Sequence, residues 1–148
     1  MIETTHSVIA FIDSYRAAFE RLDAAAIAEH FAYPGHLASG GGTEVLLVPV
    51  TERAEWTRQI ERLLEGYREV DFGRTRVLDV HIVELAPNLV QAVVHWGLED
   101  AAGHDLYAFT SSYTLVRDGV GTPRIAAVAH DEQPKLRACL ERRRAAAD

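Results

Sequence analysis

The chain has 148 residues, of which 48% are hydrophobic, 25% charged and 8% aromatic, with a net charge of −7. That size fits one domain spanning residues 1–148, able to bury about 70% of its unfolded surface without metal or disulfide help. The composition excludes a disordered chain, a collagen-like fibre and a coiled coil, and no apolar run reaches the roughly 18 residues of a membrane-spanning helix.

Met1-Ile2-Glu3-Thr4-Thr5-His6 has no basic or apolar stretch, so no signal peptide is expected. Val8, Ile12, Tyr15, Phe19 and Leu22 recur at helical spacing, with Thr5 or Ser7 as the cap. Asp23 is placed to cap a second, short helix carrying Ile27 and Phe31, which must stop before Pro34. Residues 36–39 and 44–50 read as two extended pieces around Gly40-Gly41-Gly42, forming a hairpin. Thr51 is expected to cap a third helix whose stripe is Trp56, Ile60, Leu63 and Tyr67, with Gly66 as its C-terminal glycine.

The period then changes from 3.6 to 2. Four strands follow: 74–85, with Leu78, Val80 and Ile82 on one face; 89–99, with Val90, Ala92, Val94, Trp96 and Leu98 on one face; 106–117; and 124–131. Short turns at 87–88, 100–105 and 118–123 pair consecutive strands antiparallel. Pro134 is expected to open a C-terminal helix. Helices followed by such a sheet give the α+β class.

Seven histidines supply the obvious proton-transfer groups, but no pair has zinc-ligand spacing, so neither a metal nor a cofactor is expected. The glycines at 40–42 lack the Lys-Ser/Thr ending of a phosphate loop, and there is no Gly-x-Ser-x-Gly nucleophile turn. Cys139 is the single cysteine, which suits a reducing, cytoplasmic setting. Arginine outnumbers lysine 14 to 1, as in GC-rich bacterial genes. The acidic body repels nucleic acid and anionic membranes. Arg142-Arg143-Arg144 reads either as a nucleic-acid contact or as the solvated end of a helix whose dipole it complements.

The order of elements resembles the nuclear transport factor two-like, or ketosteroid isomerase-like, superfamily, which includes polyketide cyclases. The carriers are Tyr15, the break at Leu22-Asp23 with Ile27 and Phe31 after it, Trp96, and the closing Arg117-Asp118-Gly119…Arg124-Ile125. The resemblance implies a strongly curved sheet wrapped around three helices as a cone with a deep pocket, paired as a homodimer through the outer sheet face. It matches Tyr15 to the tyrosine of the isomerases. Ser39 stands where their general base should be, and Thr110 or Phe109 where their second acid should be, so steroid isomerisation by that route is not expected.

Within such a cone, His130 shares an inward strand face with Ala126, Val128 and Glu132 and is either an inert strand-end residue or a cavity acid or base. The hydroxyl of Tyr15 needs a partner, which is a backbone carbonyl, a water or a ligand oxygen. Trp96, Trp56, Phe19 and Phe31 are the expected apolar walls, and Thr110 and Ser112 the expected polar patch that orients a ligand. His95, opposite to Trp96 along its strand, and Gln91 are expected at the dimer contact; His81 is a surface or dimer residue. Two functions remain. One is a cofactor-free isomerase, cyclase, dehydratase or hydrolase acting on a small apolar oxygenated compound through His130 and Tyr15. The other is a non-catalytic ligand-binding or dimerisation module.

Overall fold

The computed structural model describes residues 2–119 and 121–147, with side chains from Thr4 onward. Four helices and six strands follow in the order α1 (Ile2–Glu20), α2 (Ala24–Glu29), β1 (Phe31–Ser39), β2 (Leu46–Val50), α3 (Arg53–Glu69), β3 (Phe72–Ala86), β4 (Leu89–Asp100), β5 (Asp105–Val116), β6 (Arg124–His130) and α4 (Glu132–Ala147). The strands form one sheet in the order β2-β1-β6-β5-β4-β3. All neighbours are antiparallel except β1 and β6, which run parallel. β2 and β3 do not meet, so the sheet is curled and unclosed, and its concave side holds the helices as an α+β cone.

Local chemistry explains most boundaries. Leu22 adopts a left-handed φ of 54° at the end of α1, and the Asp23 carboxylate then accepts the Ala26 N–H at 3.0 Å, starting α2. Thr5 and Ser7 are not caps, because α1 begins at Ile2 and carries them inside. At α3 the N-cap is Glu52, without a side-chain cap bond, rather than Thr51. Gly66 lies inside α3, not at its end. A β-carbon there would stand 3.4 Å from the Leu136 side chain, in ordinary contact, so α4 packs beside this position. Phe31 opens a strand instead of closing a helix. The turn at 118–123 includes Val120, which lies outside the described residues.

Along β4, Val90, Ala92, Val94, Trp96 and Leu98 are all buried, as strict alternation requires. Register shifts recur along the sheet, and two of these bulges defeat alternation where it shapes the interior. One at Leu78 lets Val77 pair with Trp96 and Asp79 with His95. Leu78 therefore leaves the face of Val80 and Ile82 and lies over Gly97 on the outside. The other sits at Ala126: Leu115 pairs with Ile125 and Thr114 with Ala127, so Ile125, Val128 and His130 all turn inward. Gly35 of β1 crosses this second bulge. A β-carbon there would stand 2.7 Å from the Ala126 carbonyl oxygen.

α4 begins at Glu132 rather than at Pro134. Proline is tolerated there because a first-turn residue needs no intrahelical N–H bond. The helix is clamped to its neighbours by the arginines of the basic tail. Arg143 donates to the Val70 carbonyl, and Arg144 makes two bonds to the Glu69 carboxylate at 2.8 and 3.0 Å. Arg142 donates to the Leu106 carbonyl at 3.4 Å, so all three consecutive arginines have intramolecular partners. Among the described residues, no helix is long and apolar enough to cross a membrane.

Candidate functional site

The concave face of the sheet and the stripes of α1 and α3 enclose a cavity of about 290 Å³. α1 contributes Tyr15 and Phe19; α3 contributes Trp56, Ile60, Leu63 and Tyr67. The central strands contribute Trp96, Leu98, Phe109, Ser111, Tyr113, Val128 and His130. Aromatic rings dominate the wall. Tyr15 meets Phe19 edge-on at 5.1 Å and Tyr113 at 5.7 Å, and Phe31 meets Trp56 edge-on at 5.3 Å.

Of the eight residues singled out from the sequence, Tyr15, Phe19, Phe31, Trp56, Trp96 and His130 lie on this wall. Thr110 and Ser112 do not. They lie on the outer face, where Thr110 Oγ1 and His95 Nδ1 share a hydrogen bond of 2.9 Å and Ser112 accepts one from Gln91 at 3.5 Å. The physical reason is register. Trp96 pairs with Phe109 and Val94 with Ser111, and directly opposed residues share a sheet face. The inward set is therefore Phe109, Ser111, Tyr113 and Leu115, and the inward hydroxyl is that of Ser111, 2% exposed. At the positions of the isomerase acids the cavity presents Ser39, whose hydroxyl donates to Gln133 Oε1 at 3.3 Å, and Phe109.

The acid of this cavity is Glu132, the first residue of α4. It is 7% exposed. Tyr67 and Tyr107 both donate to its Oε2, the latter at 2.8 Å, while Oε1 takes no hydrogen bond from a described side chain or backbone group. Burial raises the carboxyl to about 7, against the pull of the two tyrosine hydroxyls and with a smaller push from Asp131. Burial likewise holds both tyrosine hydroxyls above their ordinary range, so they remain proton donors.

His130 is tied to the same turn. Its Nδ1 accepts the backbone N–H of Glu132 at 3.1 Å. A neutral ring with Nδ1 occupied as an acceptor carries its proton on Nε2. Burial lowers the pKa of this histidine, which favours that neutral form. The Tyr15 hydroxyl makes no bond to a described residue, and burial raises its pKa well above the ordinary value. Trp96 donates to the Tyr113 hydroxyl at 2.9 Å. Arg16 also reaches the wall, but Asp13 at 2.8 Å and Glu20 at 2.7 Å hold its guanidinium. Among the described residues no group of His, Cys, Asp and Glu is gathered as a metal would require.

Sequence reasoning missed Glu132, Tyr67 and Tyr107 as a unit. Tyr67 and Glu132 lie 65 residues apart, and nothing in the local pattern links them. The available signal was position: Glu132 follows His130 by two on one strand face and stands two residues before Pro134.

Residues 5–133 match the family described as NTF2-like protein (DUF6841). No curated protein matches the sequence significantly. A protein of unknown function from Mycobacterium tuberculosis has a similar structure, with a TM-score of 0.69 and 16% identity over 96% of this chain and 97% of that one. A protein from Catenulispora acidiphila in complex with S-DNPA gives 0.68 and 18% over 90% and 98%. A ketosteroid isomerase-like protein from Erwinia carotovora atroseptica gives 0.59 and 16% over 85% and 93%. At such identities the fold is what these proteins share with this chain.

Proposed function

The chain belongs to the NTF2-like family, and from that premise we propose that it binds a small, largely apolar, oxygen-bearing molecule in the cone and moves a proton on it without a cofactor. One observation carries the reading: a buried carboxyl poised at about 7, with one oxygen anchored and the other free, at the polar end of an apolar cavity. A general base is most effective when its pKa lies near the working pH.

In this reading a ligand carbonyl oxygen accepts hydrogen bonds from the Tyr15 hydroxyl and from His130 Nε2. Glu132 Oε1 takes a proton from the adjacent carbon. The C–H electron pair moves into the carbonyl, and the two donors stabilise the resulting enolate oxygen. Glu132 then returns the proton to the same or a conjugated carbon, which completes an isomerisation. His130 is a donor here rather than the proton carrier, because its Nδ1 is already engaged. Phe19, Phe31, Trp56 and Trp96 supply the apolar wall. The relative in complex with S-DNPA supports a ligand-binding use of the same fold.

We place this cone in a homodimer formed through the outer sheet face. That face carries Gln91, Val93 and His95, with Asp79 opposite His95, together with Leu78 at 53% and Val83 at 42% exposure. A symmetric pair would cover them. A buried free thiol, Cys139, suits the cytoplasm.

The test is exchange of deuterium from heavy water into a medium-chain methyl ketone, followed by NMR. The wild-type protein is expected to catalyse it. Glu132→Gln is expected to lose at least 100-fold in rate, the lower end of what a positioned base contributes, while still binding the ketone. Binding without exchange by the wild type would leave the non-catalytic binding module as the function. Its sequence support is the serine and phenylalanine where the isomerases have acids.

A further inference from the structure

Trp56 lies three helical turns before Tyr67 on the same face of α3, about 16 Å away along the axis. Ile60 and Leu63 form the wall between them. The Glu132 end of the cavity is rich in polar groups. At the Trp56 end, the indole Nε1 is the one buried side-chain nitrogen or oxygen, among the described residues, that has no hydrogen-bond partner. The Tyr15 hydroxyl differs: it also lacks a partner but is not sealed in this way. Trp96 offers the internal contrast, since its indole N–H is equally buried and has the Tyr113 hydroxyl at 2.9 Å.

A buried donor without an acceptor is costly, and native structures leave few of them without a reason. Trp56 is 9% exposed and part of the cavity wall. No described residue satisfies its N–H, and because the ring lines the cavity, a molecule bound there is the available source of an acceptor. We infer that the Trp56 indole N–H is a second ligand anchor, and that the ligand is an elongated molecule with hydrogen-bond acceptors at both ends. One acceptor sits between Tyr15 and His130 and the other at Trp56, separated by an apolar middle that lies along Ile60 and Leu63. The ligand is uncharged at the Trp56 end, because an indole N–H donates one bond and supplies no counter-charge. This inference rests on the reading of the Glu132 end given above.

The experiment compares two probes: a medium-chain methyl ketone and the α,ω-diketone of the same chain length. The chain has two tryptophans, so a nitrogen-15 spectrum shows two indole resonances, and Trp56→Phe assigns them. The Trp56 indole proton is expected to move downfield with the diketone and to stay in place with the monoketone. The diketone is expected to bind about 2–10-fold more tightly, the worth of one neutral hydrogen bond. Trp56→Phe is expected to erase that advantage, so that the variant binds the diketone and the monoketone equally. If that variant fails to fold, Trp96→Phe assigns the two resonances by elimination and the wild-type indole shift decides.

A Trp56 resonance that does not move while the diketone binds overturns the inference. So does a diketone that binds no better than the monoketone, or failure of both ketones to bind at millimolar concentration. Deuterium exchange is read in the same samples. Exchange with a silent Trp56 sinks the second anchor and leaves the proton-transfer reading standing. A Trp56 shift without exchange does the reverse.

Discussion

Glu132 allows the account of the site to be tested through stability alone, without a substrate. Replacing it by glutamine keeps the volume and removes the charge. The carboxyl is moved by burial from its ordinary 4.5 to about 7. At 1.36 kcal/mol for each pH unit of separation, that amounts to about 3 kcal/mol. The sign follows from linkage. The folded state binds this proton more tightly than the unfolded state, so the contribution is fully present below about pH 4.5 and is lost as pH rises through about 7. Above that range the wild type carries a buried carboxylate and the glutamine variant does not.

Urea unfolding of both proteins from pH 4 to pH 8.5 gives the difference curve, in which other titrating groups cancel. Wild type minus variant is expected to fall by about 3 kcal/mol across that range, with its midpoint between roughly pH 5 and 7. A curve flat to within about 0.5 kcal/mol, or one that rises with pH, would refute the claim that burial dominates. In that event the Tyr67 and Tyr107 hydroxyls hold the carboxylate well enough to offset its desolvation, and Glu132 is an ordinary ionised acid without the poise a base needs.

Three further outcomes are expected. Trp96→Ala should lower stability by roughly 3–5 kcal/mol, because it deletes a buried ring and strands the Tyr113 hydroxyl; a chemical-denaturation loss below about 1 kcal/mol would contradict its 2% exposure. Gly35→Ala should cost roughly 1–3 kcal/mol, since its β-carbon would sit 2.7 Å from a backbone oxygen that cannot rotate away; an unchanged melting temperature would mean that β1 and the Ala126 bulge can part cheaply. Sedimentation equilibrium at micromolar concentration should give twice the chain mass of 16.4 kDa, and replacing Val93 by glutamate should yield the monomer; a wild-type monomer removes the outer-face pairing.

Local order was legible in the chain because it rests on short-range rules. The 4-and-3 spacing of Val8, Ile12 and Tyr15 determines a helix face whatever packs on it. The alternation from Val90 to Leu98 determines which side of β4 is buried, since both periods are properties of the backbone itself. Asp23 could be read as a cap because its carboxylate reaches an N–H only three residues on. Tyr15, Phe19, Phe31, Trp56, Trp96 and His130 were placed toward one interior by this logic, helped by the likeness of the whole order to a known cone.

What needed the tertiary structure is whatever depends on pairing between distant strands. The run Thr110-Ser111-Ser112 has hydroxyls on both faces, and only the register against Trp96 and Val94 makes Ser111 the inward one. A bulge inserts a residue without any local mark, so the alternation of β3 and β6 points Leu78 inward and Ile125 outward until the partner strands are known. In the sequence Glu132 is the last residue of an alternating strand face shared with His130, with nothing to give it a partner. It becomes a buried carboxyl near neutrality only when α4, clamped through Arg143 and Arg144, brings it against Tyr67 and Tyr107. Its proton affinity is the balance between lost water, which raises it, and two hydroxyls distant in sequence, which lower it, and neither can be read from the residues beside it.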